Sequence, residues 1–161
     1  MTGLSSRSEE GENEIRLDLP AAHSASRMAR QVVRKFVEAR KMEEKEIGTL
    51  ELITSELLGN AVDHGGGESA MDESDLKRAV RMKLMLEVQD AGWRLQVSDQ
   101  GGGDPAEMEN LIHPDGFPDL EDERGRGFFL MGEMVDELSV EKSADGLGLS
   151  FIAVRRFGQS A

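Results

Sequence analysis

Cysteine and tyrosine are both absent from the 161 residues, and tryptophan occurs once. Without a thiol the chain has no disulfide, no cysteine nucleophile and no cysteine-based zinc site. Aromatic residues make up only 4%, so the core must be aliphatic, with nine methionines to fill irregular gaps. No apolar run is long enough to span a bilayer, and the acidic start, Ser8-Glu9-Glu10-Gly11-Glu12, contains no apolar signal core. The expectation is a soluble cytoplasmic protein. Positive charge is scarce: 19 Lys and Arg stand against 32 Asp and Glu, a net charge of −13. That argues against broad nucleic-acid binding, which needs cations to neutralise phosphates. His23, His64 and His113 show no metal-ligand spacing. There is no G-x-x-x-x-G-K-[ST] loop, no G-x-G-x-x-G after the first strand and no G-x-S-x-G elbow.

What remains suits one domain, since 38% hydrophobic residues over this length bury a real core. Residues 1–14 read as a disordered acidic tail, and 15–158 as the domain. Ile15-Arg16-Leu17-Asp18-Leu19 alternates like an edge strand and ends at Pro20. Ser24 to Met42 reads as a helix with Ala25, Ala29, Val32 and Phe36 inward and Arg27, Arg30 and Arg34 outward. Glu46 to His64 is a second helix, with Ile47, Leu50, Leu57 and Ala61 inward and Gly65-Gly66-Gly67 as its stop. An acidic connection follows, with Glu68–Asp75 as a loop insertion. Val80–Val88 and Trp93–Val97 then form a hairpin. Asp104–Arg124, rich in acids and interrupted by proline, reads as a long loop of the kind that serves as a lid. Phe128–Val135 is a helix, and Glu137–Glu141 and Gly148–Val154 are two closing strands around Asp145-Gly146. This order gives an α+β fold: a two-layer sandwich with helices on one face of a mostly antiparallel sheet.

Three segments carry chemistry. Glu56 and Asn60 are four apart on a helix and share a face. A carboxylate there can take a proton from a hydroxyl, and an amide oxygen suits Mg²⁺. Asp99 ends a strand and precedes Gly101, Gly102 and Gly103, which let a ligand approach the backbone. Its carboxylate can accept a hydrogen bond from an exocyclic amine such as that of adenine. Gly125-Arg126-Gly127 opens a helix and would aim backbone N–H groups at an anion, with Arg124 or Arg126 adding charge. Each segment alone also fits a solvated helix face or a helix-entry turn. His64, two turns beyond Glu56, either orients that carboxylate or caps the helix.

Taken together and in order, the segments resemble the Bergerat-fold (GHKL) ATPases, the gyrase, histidine-kinase and MutL superfamily. Glu56-to-Asn60 is similar to their N box, and Asp99-x-Gly101-x-Gly103 and Gly125-x-Gly127 to their two glycine boxes. The likeness covers roughly residues 15 to 156. Ser55 to Gly65, Asp104-Pro105 and Gly125-Arg126-Gly127-Phe128-Phe129-Leu130-Met131 most resemble the anti-sigma-factor serine kinases of bacterial partner-switching systems. The resemblance implies that Glu56 is the general base toward a partner's serine, that Asn60 holds Mg²⁺ and that Asp99 reads adenine. It implies that Gly101 and Gly103 shape the base and ribose pocket, that 104–124 is the ATP lid, and that Arg124, Gly125, Arg126 and Gly127 meet phosphate. It implies ATP and Mg²⁺ as cofactors, a sigma factor and an anti-sigma-factor antagonist as partners, and a homodimer. The family's late-hairpin Gly-Thr pair is missing. The stretch Asp145-Gly146-Leu147-Gly148-Leu149-Ser150 has no Thr, and Ser150 or a backbone amide is the expected substitute. The main alternative is a nucleotide-regulated binding module that sequesters a partner without kinase activity. A detached histidine-kinase catalytic domain is a third.

Overall fold

In the computed structural model, residues 6–64, 80–113 and 121–158 are described. The chain runs β1 (Arg7–Glu10), β2 (Glu14–Pro20), α1 (His23–Ala39), α2 (Glu44–Asp63), β3 (Arg81–Gln89), β4 (Gly92–Ser98), α3 (Pro105–Ile112), α4 (Glu123–Met134), β5 (Glu137–Lys142) and β6 (Leu149–Arg156). The strands form one sheet in the order β1-β2-β3-β4-β6-β5, with every neighbouring pair antiparallel. The α+β sandwich expected from the sequence is the architecture found. The Gly65–Gly67 stop, the acidic 68–79 connection and part of the long loop, 114–120, lie outside the described residues.

Period-two alternation decides which face is covered. Ile15, Leu17 and Leu19 of β2, Met82, Leu84 and Leu86 of β3, Trp93, Leu95 and Val97 of β4, and Phe151 and Ala153 of β6 are all buried. Their neighbours Arg16, Lys83, Arg94 and Gln96 point to the other face. The helices cover the apolar face with Ala29, Val33 and Phe36 from α1 and Leu50, Ile53, Leu57 and Leu58 from α2. Each fully buried Leu or Ile contributes roughly 1.5–3 kcal/mol, so this seam supplies most of the folding drive. Phe128 of α4 stacks on Phe151 with ring centroids 5.4 Å apart, which docks α4 onto the sheet.

Four expectations need correction. First, the acidic start is not wholly unstructured, because Arg7–Glu10 pairs with β2 as β1. β2 is therefore not an edge strand. All four β1 side chains are exposed, so this strand is held by its backbone ladder. Opposite charges face each other at Arg7↔Asp18 and Glu9↔Arg16. Arg40 fastens the turn by donating to Gly11 O (3.0 Å), Glu12 O (2.7 Å) and Phe36 O (2.8 Å). Second, α1 turns Val33 fully inward, and Val32 only partly. Third, the long loop contains α3. Asp104 caps it by accepting from Ala106 N at 2.9 Å, Pro105 occupies its first turn, and Met108 and Ile112 are its two buried residues. Two apolar positions in eight residues are too faint a period to detect. Fourth, α4 begins at Glu123, five residues before the expected start, so Gly125 and Gly127 lie inside the helix.

α1 ends in a reciprocal pair of bonds, Met42 N to Val37 O and Lys41 N to Glu38 O, with Lys41 at φ 60°. This is the left-handed helix stop that usually recruits glycine. At the start of β4, Gly92 is obligatory: its φ is 152°, and an added Cβ would lie 1.9 Å from Arg155 O. Beside it Trp93 is 2% exposed, with an indole N–H that finds no partner among the described residues. At the same end, Arg155 grips the buried Glu46 carboxylate at 3.1 and 2.9 Å.

Candidate functional site

On α2 the core-facing residues Leu57, Leu58, Ala61 and Val62 leave the opposite stripe free, and Glu56 and Asn60 lie on it. The start of α4 sits across from this stripe. Between them is a cavity of about 460 Å³ lined by Ser55, Glu56, Gly59, Asn60, Asp63 and His64 on one side and Asp122, Glu123, Arg124 and Gly127 on the other. Glu56 is exposed to this space and accepts no hydrogen bond from the described residues. Gly127 permits the close approach: a Cβ there would lie 3.3 Å from Glu56 Oε2. Glu56, Asn60, Arg124 and Gly127 are thus brought together. Gly125 is buried in the first turn of α4, and Arg126 is exposed and does not line the cavity.

Asp99, 5% exposed, stands just past the end of β4. Its Oδ1 accepts from Gly101 N at 3.0 Å and Leu149 N at 3.1 Å, and its own N–H donates to Leu149 O at 2.9 Å. Oδ2 receives no hydrogen bond from the described residues. One carboxylate oxygen is thus fixed by the backbone and the other is left as an open acceptor. Gly148 makes this possible, since a Cβ there would sit 2.3 Å from Asp99 O and 2.4 Å from Oδ1. Gly103 admits Leu149, whose Cδ1 lies 2.8 Å from where a Cβ would be. In the Asp99–Gly103 turn the positive φ falls on Gly102, at 74°.

Ser150 does not take the place of the missing Thr. Its hydroxyl lies 2.6 Å from Ser98 Oγ, and that pair faces away from the Leu149–Asp99 side by strand alternation. The late hairpin instead offers Asp99 the backbone amide of Leu149 and an apolar side chain.

Arg124 carries the cavity's guanidinium. Burial lowers its pKa while Asp99 and Asp122 oppose that shift, and the group stays cationic. It lies 5.7 Å over the Phe128 ring, and its Nε has no hydrogen-bond partner among the described residues. His64 follows the last turn of α2, with its N–H donated to Asn60 O at 2.9 Å. Desolvation, then the charge of Arg124, pushes its imidazole pKa down against the pull of Asp63, Asp122 and Glu123. His23 Nε2 lies 3.0 Å from Asp63 Oδ1, tying the start of α1 to the end of α2.

Sequence reasoning missed Gly148, Leu149 and Asp122. Asp122 had a legible signal, an Asp just ahead of a glycine-containing helical start. Gly148 and Leu149 act through a sheet pairing that no local pattern reveals. A larger cavity, about 970 Å³, lies at the other end of the sheet around Arg40, Glu46, Asp90 and Arg155. Its buried carboxylate is already paired with Arg155, so it presents less unpaired chemistry. Among the described residues no group of three or more His, Asp or Glu is placed to cage a metal ion, and no helix is long and apolar enough to cross a membrane.

A two-layer sandwich with a carboxylate–amide helix facing a glycine-bearing helix, and an Asp at a strand end beside a glycine turn, is the build of a nucleotide-binding ATPase domain. The family model for the histidine kinase-like ATPase domain matches residues 19–153, and the chain belongs to that family. Among solved structures, a chain of the SiaB–SiaC complex from Pseudomonas aeruginosa shares the fold. The match has a TM-score of 0.64 at 15% identity and covers 86% of this chain and 88% of that one. No curated protein sequence matches the chain.

Proposed function

We propose that this protein is an ATP-dependent protein-serine kinase that doubles as an anti-sigma factor in a bacterial partner-switching system. The observation that carries the reading is the convergence of Glu56 and Asn60 from α2 with Arg124 and Gly127 from α4 on one cavity, with Glu56 unengaged. Asp99 Oδ2 is the acceptor for the adenine amine, and Gly101 and Gly103 flank the base. Arg124 and Gly127 serve the phosphates from the cavity wall, with Gly125 beside them in the first turn of α4, while Arg126 is assigned to the phosphates by the resemblance alone. The amide oxygen of Asn60 is a hard donor suited to Mg²⁺, which binds through few protein groups and keeps water and phosphate ligands. The ion would neutralise phosphate charge. Glu56 takes the proton of a partner's serine hydroxyl while its oxygen bonds to the γ-phosphorus and ADP leaves. Positioning and charge do most of this work, so a site with so few side chains suffices.

The partners in this reading are a sigma factor and its antagonist, the latter carrying the serine. The likeness to a chain from a two-protein complex supports a protein partner. A cytoplasmic location and a homodimer belong to the same reading. The binding-module alternative rests on the absence of a Thr from the late-hairpin stretch Asp145–Ser150 and on the acidic lid.

Calorimetric titration with Mg²⁺ and ATP, followed by a transfer assay on the antagonist, tests both. Asp99→Asn keeps an oxygen for Gly101 and Leu149 and swaps the open acceptor for a donor, so it should stay folded and lose ATP. Glu56→Ala should bind ATP as the wild type does and transfer no phosphate. Normal transfer by Glu56→Ala would refute the base assignment. Tight ATP binding by wild type without transfer to any cognate partner would favour the binding module.

A further inference from the structure

The backbone N–H groups at the start of α4 are the natural receptor for a phosphate chain, because they lack intrahelical acceptors and sit at the positive end of the helix dipole. In this protein two of them are already occupied. Asp122 Oδ1 accepts from Arg124 N at 2.9 Å and from Gly125 N at 3.2 Å, and its carbonyl takes Arg126 N at 2.9 Å. Asp122 also lines the cavity itself, with Glu56, Asp63 and Glu123. Four carboxylates therefore face one guanidinium, that of Arg124, and an imidazole held toward its neutral form. A triphosphate entering this space meets like charge and finds two of its N–H donors taken. The unpartnered Nε of Arg124 shows that the cation beside the cap still has a donor to offer.

We propose that the Asp122 carboxylate is an internal competitor for the phosphates, so that a nucleotide binds through α4 only by displacing this cap. The inference rests on the nucleotide reading above. It has two consequences. The cap lowers the apparent affinity for phosphorylated ligands by the fraction of molecules in which it is open, and leaves the base subsite alone. Phosphate binding also frees the residue 122 side chain from α4, so nucleotide occupancy exchanges one cap of the helix's first turn for another.

Wild type, Asp122→Gly and Asp122→Asn are titrated by calorimetry with ATP and, separately, with adenosine. Glycine at a helix N-cap costs only a few tenths of a kcal/mol relative to the usual caps, so the first variant should fold. Asparagine caps as well as aspartate does but without charge. Thermal unfolding of all three checks the fold. The expectation is ATP affinity about tenfold higher in Asp122→Gly, an intermediate gain in Asp122→Asn and unchanged adenosine affinity. Equal or weaker ATP binding by Asp122→Gly, with adenosine unaffected, overturns the proposal and leaves Asp122 as a helix cap only. Loss of both ligands in all three folded proteins overturns the nucleotide reading itself, and the proposal with it.

Discussion

At Gly148 a single methyl group decides whether Asp99 can stand where it does. An alanine Cβ would lie 2.3 Å from Asp99 O and 2.4 Å from Oδ1, so either the strand end or the carboxylate must move. Gly148→Ala should cost about 1–3 kcal/mol of stability, as overpacking does, and lower ATP affinity more than its fall in melting temperature explains. Calorimetry on the folded variant, with melting followed in parallel, checks this. Unchanged affinity would mean that Asp99 does not read the base. At this scale legibility was uneven. That Glu56 and Asn60 share one face was legible because a helix brings residues four apart together. Gly148 was not, because its importance lies in a cross-strand neighbour 49 positions away. Ser150 looked like a substitute hydroxyl until the register paired it with Ser98.

Among elements, the ends were harder to read than the middles. The apolar stripes of α1 and α2 and the alternation of β2, β3 and β4 marked those elements within a few residues. β1 carries no hydrophobic pattern at all and exists because β2 offers a free ladder and Arg40 pins the turn. α3 and the first turn of α4 depend on the Asp caps at 104 and 122, which outweigh the weak periodicity around them. One end is strained: Lys41 stops α1 at φ 60°. Lys41→Gly should raise stability by about 1 kcal/mol, since the left-handed conformation costs a side chain that much and glycine little. Chemical denaturation is the measurement, with an unchanged slope expected.

The β5–β6 turn makes a pH prediction. Asp145 accepts from Leu147 N at 2.9 Å and Ser143 Oγ at 2.7 Å, and these bonds hold its carboxyl below the usual carboxylate range. A lowered folded pKa means that the charged form stabilises the fold above the ordinary Asp pKa. That support is lost as pH falls through the folded value. Because Ser143 Oγ in turn accepts from Gly148 N at 3.0 Å, acidification should loosen the hairpin beneath Asp99. The protection of the Leu147 and Gly148 amides, measured against their intrinsic exchange rates, should fall at low pH in the wild type, and Asp145→Asn should show a flatter protection profile over that range.

Seen whole, the molecule separates its chemistry from its ballast. The cavity, Asp99 and the start of α4 lie at one end of the sheet. Gly92, Trp93 and the Glu46–Arg155 pair lie at the other. Trp93 and Asp99 are six residues apart along β4, about 20 Å at strand rise. With no tyrosine in the chain, ultraviolet emission excited at long wavelength comes from this one indole, sealed in an apolar wall with its N–H unbonded. The protein therefore carries an optical probe of its own integrity that is blind to the occupancy of its site. The emission should be blue-shifted in the native state and unmoved by saturating ATP, and should turn red only when the sheet itself comes apart.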